Sequence, residues 1–135
     1  MNDKSLTLAL MDPPYESANS TTAFRIIAAA LKMGIRVNVF AYEGAVCLSL
    51  KDQAAHANPL KGTTVEEEDH PTTSAFVSSL LKMAEHDQSL NWVNCGLCVD
   101  ERGASNAVDG VKRGGPADFL KMAMESTNTL VIPTK

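Results

Sequence analysis

Cys95 and Cys98 are two of the chain's three cysteines, and they stand three apart in LNWVNCGLCVDERG, residues 90–103. There a hydrophobic run gives way to polar residues. Four chemistries fit that spacing. Both residues can be small buried hydrophobes, because free cysteine is among the most buried residue types. They can be half of a structural zinc site, which takes four ligands. The rest would have to come from Cys47, His56, His70 or His86, and none of these forms a second pair at ligand spacing. They can be a dithiol–disulfide couple. Or Cys95 can be a single nucleophile, with Cys98 as neighbour or resolver. A thiolate is the reactive form of cysteine, and a helix N-terminus favours it, drawing the pKa from ~8.5 to well below 7.5. Such a thiolate can attack a sulfur atom and hold it as a persulfide, Cys–S–SH.

Position is what separates these chemistries, so the elements around the pair come next. Residues 6–11 form a short apolar run closed by Asp12-Pro13-Pro14, which predicts a buried strand and a loop. Ser20 is a candidate helix cap, and Phe24, Ile27 and Leu31 then recur at helical spacing up to a stop at Gly34. Residues 36–42 alternate and are β-rich. Strand, helix and strand in succession make a βαβ unit with parallel strands. Residues 43–53 read as a short helix carrying Cys47, and 54–70 as a surface loop with an acidic triplet. Residues 71–84 predict a helix with Phe76, Val77, Leu80, Leu81 and Ala84 on one face. Residues 90–94 predict a third strand, and 98–102 one helical turn. Gly115 and Pro116 open a last helix using Phe119, Leu120 and Ala123, and residues 129–132 form a closing strand. The alternation predicts an α/β, flavodoxin-like fold: a single-domain three-layer sandwich over residues 1–135 with a mostly parallel sheet. Ligands and chemistry gather beyond the carboxyl ends of such strands. Three loops should meet there: residues 12–19, the turn after Tyr42, and the turn holding Cys95.

Bulk properties narrow the function classes. The net charge of −4 and the absence of a Lys/Arg cluster argue against nucleic-acid binding through phosphates. No segment approaches the ~20 apolar residues that span a bilayer, and the N-terminus lacks a signal-peptide pattern, so a cytoplasmic location and no membrane partner are expected. In that reducing compartment an odd number of cysteines reads as reactive thiols more than a framework. A chain of 135 residues buries roughly two thirds of its unfolded surface and needs no metal staple. No GxGxxG or GxxxxGK[ST] pattern is present, so no nucleotide cofactor is expected. Neither is any other cofactor or metal.

Cys-Gly-Leu-Cys resembles the Cys-Gly-Pro-Cys of thioredoxins, but those carry the pair early and on a long helix, whereas here it comes late. A broader resemblance covers nearly the whole chain. Pro14-Tyr15 after the first strand, the helix with Ala23-Phe24 and Ala28-Ala29-Ala30-Leu31, Val39-Phe40-Ala41-Tyr42-Glu43-Gly44, and Asn94-Cys95 followed by Arg102-Gly103 are similar to the DsrE/TusD-like (DsrE/DsrF-like) sulfur-relay family. That resemblance places the sulfur-accepting cysteine at Cys95 and makes Cys98 a second thiol outside the pattern. It implies a sulfurtransferase or sulfur carrier that takes sulfane sulfur from a donor protein as a Cys95 persulfide and passes it to a TusA-like carrier. It also implies tRNA thiolation or sulfur oxidation as the setting, and a homo-oligomer or a hetero-hexamer of related subunits.

Under this reading Cys98 either attacks the Cys95 persulfide and expels sulfide or simply packs on the sheet. Arg102 orients an anionic sulfur or a partner's carboxylate, or forms a surface ion pair. His56 and His70 are candidate proton donors from the loop, or solvated. The acidic run 66–69 is a docking surface for a basic partner, or a solvated loop. Asn19 and Asn94 read as turn and cap residues, Cys47 as core or subunit interface, and Trp92 as packing between layers. Two other functions stay open: a thioredoxin-like redox protein, and a non-catalytic subunit of a sulfur-relay complex.

Overall fold

The computed structural model describes residues 3–57, 62–68 and 71–134. The apolar run near the N-terminus is β1 (Ser5–Leu10), and the βαβ unit continues through α1 (Asn19–Lys32) into β2 (Arg36–Ala41). Gly34 ends α1 in the left-handed region, φ 78°, which glycine enters without a Cβ penalty. A 3-10 segment (Glu43–Ser49) replaces the α-helix expected over 43–53. After the short α2 (Val65–Glu68) comes α3 (Thr73–Met83), whose N-cap Thr72 accepts from the Ala75 N–H. Then follow β3 (Leu90–Cys95), α4 (Gly96–Arg102), β4 (Val111–Gly114), α5 (Pro116–Glu125) and β5 (Asn128–Ile132).

The five strands lie in the order β4-β3-β2-β1-β5, and every neighbouring pair is parallel. The chain steps outward from β1 to β4, and α5 then carries it back to β1's free side. Alternation along each strand divides the core in two. Leu8, Leu10, Val37, Val39, Leu90 and Trp92 pack with Phe24 and Ile27 of α1 and Val77 and Leu80 of α3. On the opposite face Phe40, Val93 and Cys95 pack with Cys98, Val99 and Met122.

That second face is only half apolar. Nearer the strands' amino ends it carries a polar row. Asn38 Nδ2 donates to Thr7 Oγ1 at 3.4 Å, Asn91 Nδ2 to Asn38 Oδ1 at 3.3 Å, and Lys112 Nζ to Asn91 Oδ1 at 3.2 Å. Ser126 of the turn after α5 meets Thr7 at its other end. The apolar half of this face is therefore confined to the carboxyl ends, where the cysteines sit.

Several expectations are corrected. Ser20 caps nothing: α1 starts two residues earlier than such a cap implies, with Ala18 at the N-cap, and Ser20 is buried. Leu120 is 61% exposed, because α5 lies over one sheet face and presents Phe119 and Met122 to it instead. Asn94 is no cap. It is buried, accepts from Trp92 Nε1 at 3.2 Å and donates to Ser49 Oγ at 3.1 Å.

Candidate functional site

β3 runs its apolar residues up to Cys95, which then serves as N-cap of α4 with no side-chain cap bond. Cys98 follows at the end of that helix's first turn, so N-cap and third helical residue carry the two thiols. Side chains spaced by three on a helix share a face, and Cys95 and Cys98 belong to one buried cluster. The two sulfurs are thus one site rather than two.

The loops at the carboxyl ends converge on Cys98. Its Sγ accepts from the Glu43 N–H at 3.1 Å, across from the turn that follows β2. Glu43 sits at φ 52°, a sparsely populated region for a residue with a Cβ, and such strain persists only where surroundings enforce it. Two bonds from Arg102 tie this turn to α4. Arg102 Nη2 reaches Glu43 Oε2 at 3.0 Å, while Arg102 Nη1 donates to the Cys98 carbonyl at 3.4 Å. Next to Glu43, Gly44 lies so close to Pro13 that an added Cβ would stand 2.8 Å from the proline Cβ. Arg113 of β4 holds the other end of α4, donating to Gly96 O at 3.0 Å and pairing with Asp100 at 3.0 Å.

Burial at the site is deeper than an exposed nucleophile would show. Cys95 keeps 8% of its surface and Cys98 7%, both within the second cluster, while Leu97 between them is 69% exposed. Burial pushes the Cys98 thiol above the ordinary range, and the Cys95 thiol adds to this; the Glu43 N–H acts the other way. Cys98 is therefore a neutral thiol at neutral pH. Its alkylation by iodoacetamide, read by peptide mass mapping, is expected to be slow there and to accelerate only above the usual 9.0. Over the same alkaline range the unfolded chain gives up the Cys98 proton first, so folding stability falls as pH rises.

The other sequence candidates lie elsewhere. Arg102 belongs to the Glu43 ion pair, not to a sulfur. His56 stands edge-on to Tyr15, ring centroids 4.4 Å apart, and not against either cysteine. His70 and Asp69 lie outside the described residues. Cys47 is half-buried and packs against the second cluster. Asn19 donates to Asp12 Oδ2 at 3.2 Å and to Pro133 O at 3.1 Å, which ties the loop after β1 to the end of β5. Sequence reasoning missed Glu43, whose role is carried by its backbone N–H; an aromatic-Glu-Gly turn at a strand end was the available signal. Among the described residues no group of three His, Cys, Asp or Glu side chains is placed to hold a metal ion. No helix there is long and apolar enough to cross a membrane.

A family model for the DsrE/DsrF-like family matches residues 4–132. The chain belongs to the DsrE/DsrF-like family. Members of the family work generally in sulfur relay. The match spans all five strands, so Cys95 and Cys98 lie inside the matched region. No curated protein sequence matches the chain. Among solved structures, the crystal structure of the YchN protein from E. coli superposes with a TM-score of 0.72 at 18% identity, over 95% of this chain and 98% of that one. At that identity the likeness concerns the fold, and it agrees with the parallel five-stranded sheet.

Proposed function

We propose that this chain is a sulfur carrier that takes up sulfane sulfur on Cys95. The observation that carries the reading is the meeting of two free thiols at the carboxyl end of β3 in a chain of a sulfur-relay family. In the loading step the Cys95 thiolate attacks the outer sulfur of a donor persulfide, R–S–SH. The Cys95–S bond forms, the donor's S–S bond breaks, and R–S⁻ leaves. Transfer to a TusA-like acceptor thiol repeats the exchange with Cys95 as the leaving group. This chemistry needs Cys95 kept reduced, which favours a cytoplasmic setting. The exposed Leu97 beside the thiols is an apolar contact point for a donor or acceptor protein. Because both sulfurs are nearly covered, the donor must displace the start of α4 or the turn after β2 to reach Cys95.

The test is anaerobic incubation of a Cys98→Ser variant with glutathione persulfide, followed by peptide mass mapping. The expected result is the mass of one sulfur atom on the peptide at Cys95. An adduct found on Cys47 alone, or none at all on the folded protein, overturns the assignment.

We also propose that the chain forms a homo-oligomer. Leu120 and Met124 of α5 are 61% and 79% exposed, and Leu130 and Val131 on the edge strand β5 are 42% and 54% exposed. Exposed apolar side chains on a helix and on an edge strand are candidates for an association surface. Light scattering on the chain should give a multiple of the 14.4 kDa protomer, and Leu120→Lys with Met124→Lys should reduce it. A monomeric wild type sinks this part.

A further inference from the structure

We infer that Cys98 discharges the Cys95 persulfide as sulfide, so that the chain also acts as a persulfide reductase. The inference rests on the carrier reading and extends it to a second fate for the bound sulfur. Three observations support it. Cys95 caps α4 and Cys98 is that helix's third residue, both in one buried cluster, so Cys98 already stands beside the sulfur it would attack. The Glu43 N–H, 3.1 Å from Cys98 Sγ, offers a donor to negative charge developing there during attack. And Cys98 has the advantage of permanent proximity. With only 8% of Cys95 exposed, an external acceptor must open the site, whereas Cys98 needs no opening.

Burial and the neighbouring thiol keep Cys98 protonated at rest, and that proton has a place in the reaction. The Cys98 proton passes to the outer sulfur of Cys95–S–S⁻, and the Cys98 thiolate so formed attacks the Cys95 sulfur. The Cys95–Cys98 S–S bond forms, the bond to the outer sulfur breaks, and the outer sulfur leaves with the Cys98 proton as HS⁻. The sulfane sulfur is reduced to sulfide and the two cysteine sulfurs are oxidised to a disulfide. Two equivalents of a low-molecular-weight thiol, such as glutathione, then reduce that disulfide and restore the dithiol. Cys-x-x-Cys spacing on a first helical turn permits the bridge without moving β3, because both residues belong to α4 and its cap. The two fates then compete: an acceptor already docked over Leu97 receives the sulfur, and in its absence sulfide is released.

The experiment compares wild type with Cys98→Ser and Cys98→Ala under anaerobic, single-turnover loading with glutathione persulfide. Sulfide is trapped with monobromobimane, and a protein-free control is subtracted. Wild type is expected to release one equivalent of sulfide and to lose the mass of two hydrogens from the peptide bearing residues 95 and 98. The variants are expected to retain the added sulfur on Cys95 and to release sulfide about tenfold more slowly or less. Stable retention of the added sulfur by wild type, with no disulfide, overturns the inference and leaves the carrier standing. Absence of any Cys95 adduct in folded variants overturns the carrier reading and the inference together. If neither variant folds, the wild-type disulfide and sulfide measurements decide alone.

Discussion

Trp92→Ala is expected to lower the folding stability by about 3–5 kcal/mol, the range for truncating a fully buried aromatic side chain. Trp92 is 0% exposed at the centre of β3, flanked in register by Val39 of β2 and Val111 of β4. Its ring lies 6.4 Å from that of Phe24 in α1, so it bridges sheet and helix layer. Alanine leaves a cavity no neighbour can fill without moving β3 or α1. It also removes the Nε1 donor from Asn94 Oδ1, and Asn94 is itself 1% exposed. A buried acceptor stripped of its donor adds a cost of about 1–3 kcal/mol on mutational scales, which the cavity range partly includes. A domain holds only about 5–15 kcal/mol in total, so the loss takes a large share of it. Urea titration followed by circular dichroism reads the change as a lower midpoint at unchanged slope. Trp92→Phe refills most of the space and should lose much less. If Trp92→Ala shifts the midpoint no more than Trp92→Phe does, the ring is not the strut between layers that its burial implies.

The elements a sequence reader finds most readily here are those with one strongly apolar face. α1 and α3 repeat hydrophobic residues at helical spacing and bury that face, whereas β1, β2 and β3 are apolar runs whose consecutive residues are buried between two layers. Cys95 was legible for the same reason, as the last residue of such a run before a helical turn. What escaped is what burial does not write into the pattern. β4, sequence VKRG, exposes Lys112 and Arg113 at the sheet edge and shows no alternation of apolar residues. Leu120 looks like core in a helical count, but α5 is a single helix over one sheet face, and a narrower stripe than the count assumes touches the sheet. Asn94 looks like a cap because strands end near asparagines, whereas here a buried tryptophan and a buried serine satisfy its amide. The Glu43 N–H that meets Cys98 is a backbone group, and Tyr42-Glu43-Gly44 signals a turn without saying which side chain its N–H will face. Local pattern reports how much apolar surface an element buries; which loops meet at the site depends on strand order, and that is a property of the whole sheet.

Gly44→Ala is expected to cost about 1–3 kcal/mol, as overpacking of a rigid contact does, and to loosen the thiol site at the same time. A Cβ on Gly44 would stand 2.8 Å from Cβ, 2.9 Å from Cδ and 3.1 Å from Cγ of Pro13. The proline ring cannot rotate away as a long side chain would, so relief must come from the backbone of one loop or the other. Residues 43 and 44 are where the shift falls, because Glu43 already has a left-handed backbone that favours relaxing. Any shift there carries the Glu43 N–H away from Cys98 Sγ and pulls on the 3.0 Å contact between Glu43 and Arg102. The ion pair itself is partly exposed and contributes only about 0–1 kcal/mol, so it cannot hold the turn against a steric clash. Two readouts should therefore move together: a lower thermal midpoint, and faster iodoacetamide labelling of Cys98 at a fixed alkaline pH. Gly115→Ala serves as the contrast, because open space surrounds that position and its φ of −140° suits any residue. It should leave Cys98 labelling at the wild-type rate. A Gly44→Ala protein with wild-type stability and wild-type labelling would mean that the loop after β1 and the turn after β2 slide past each other freely. The N–H that steadies Cys98 would then have no scaffold behind it.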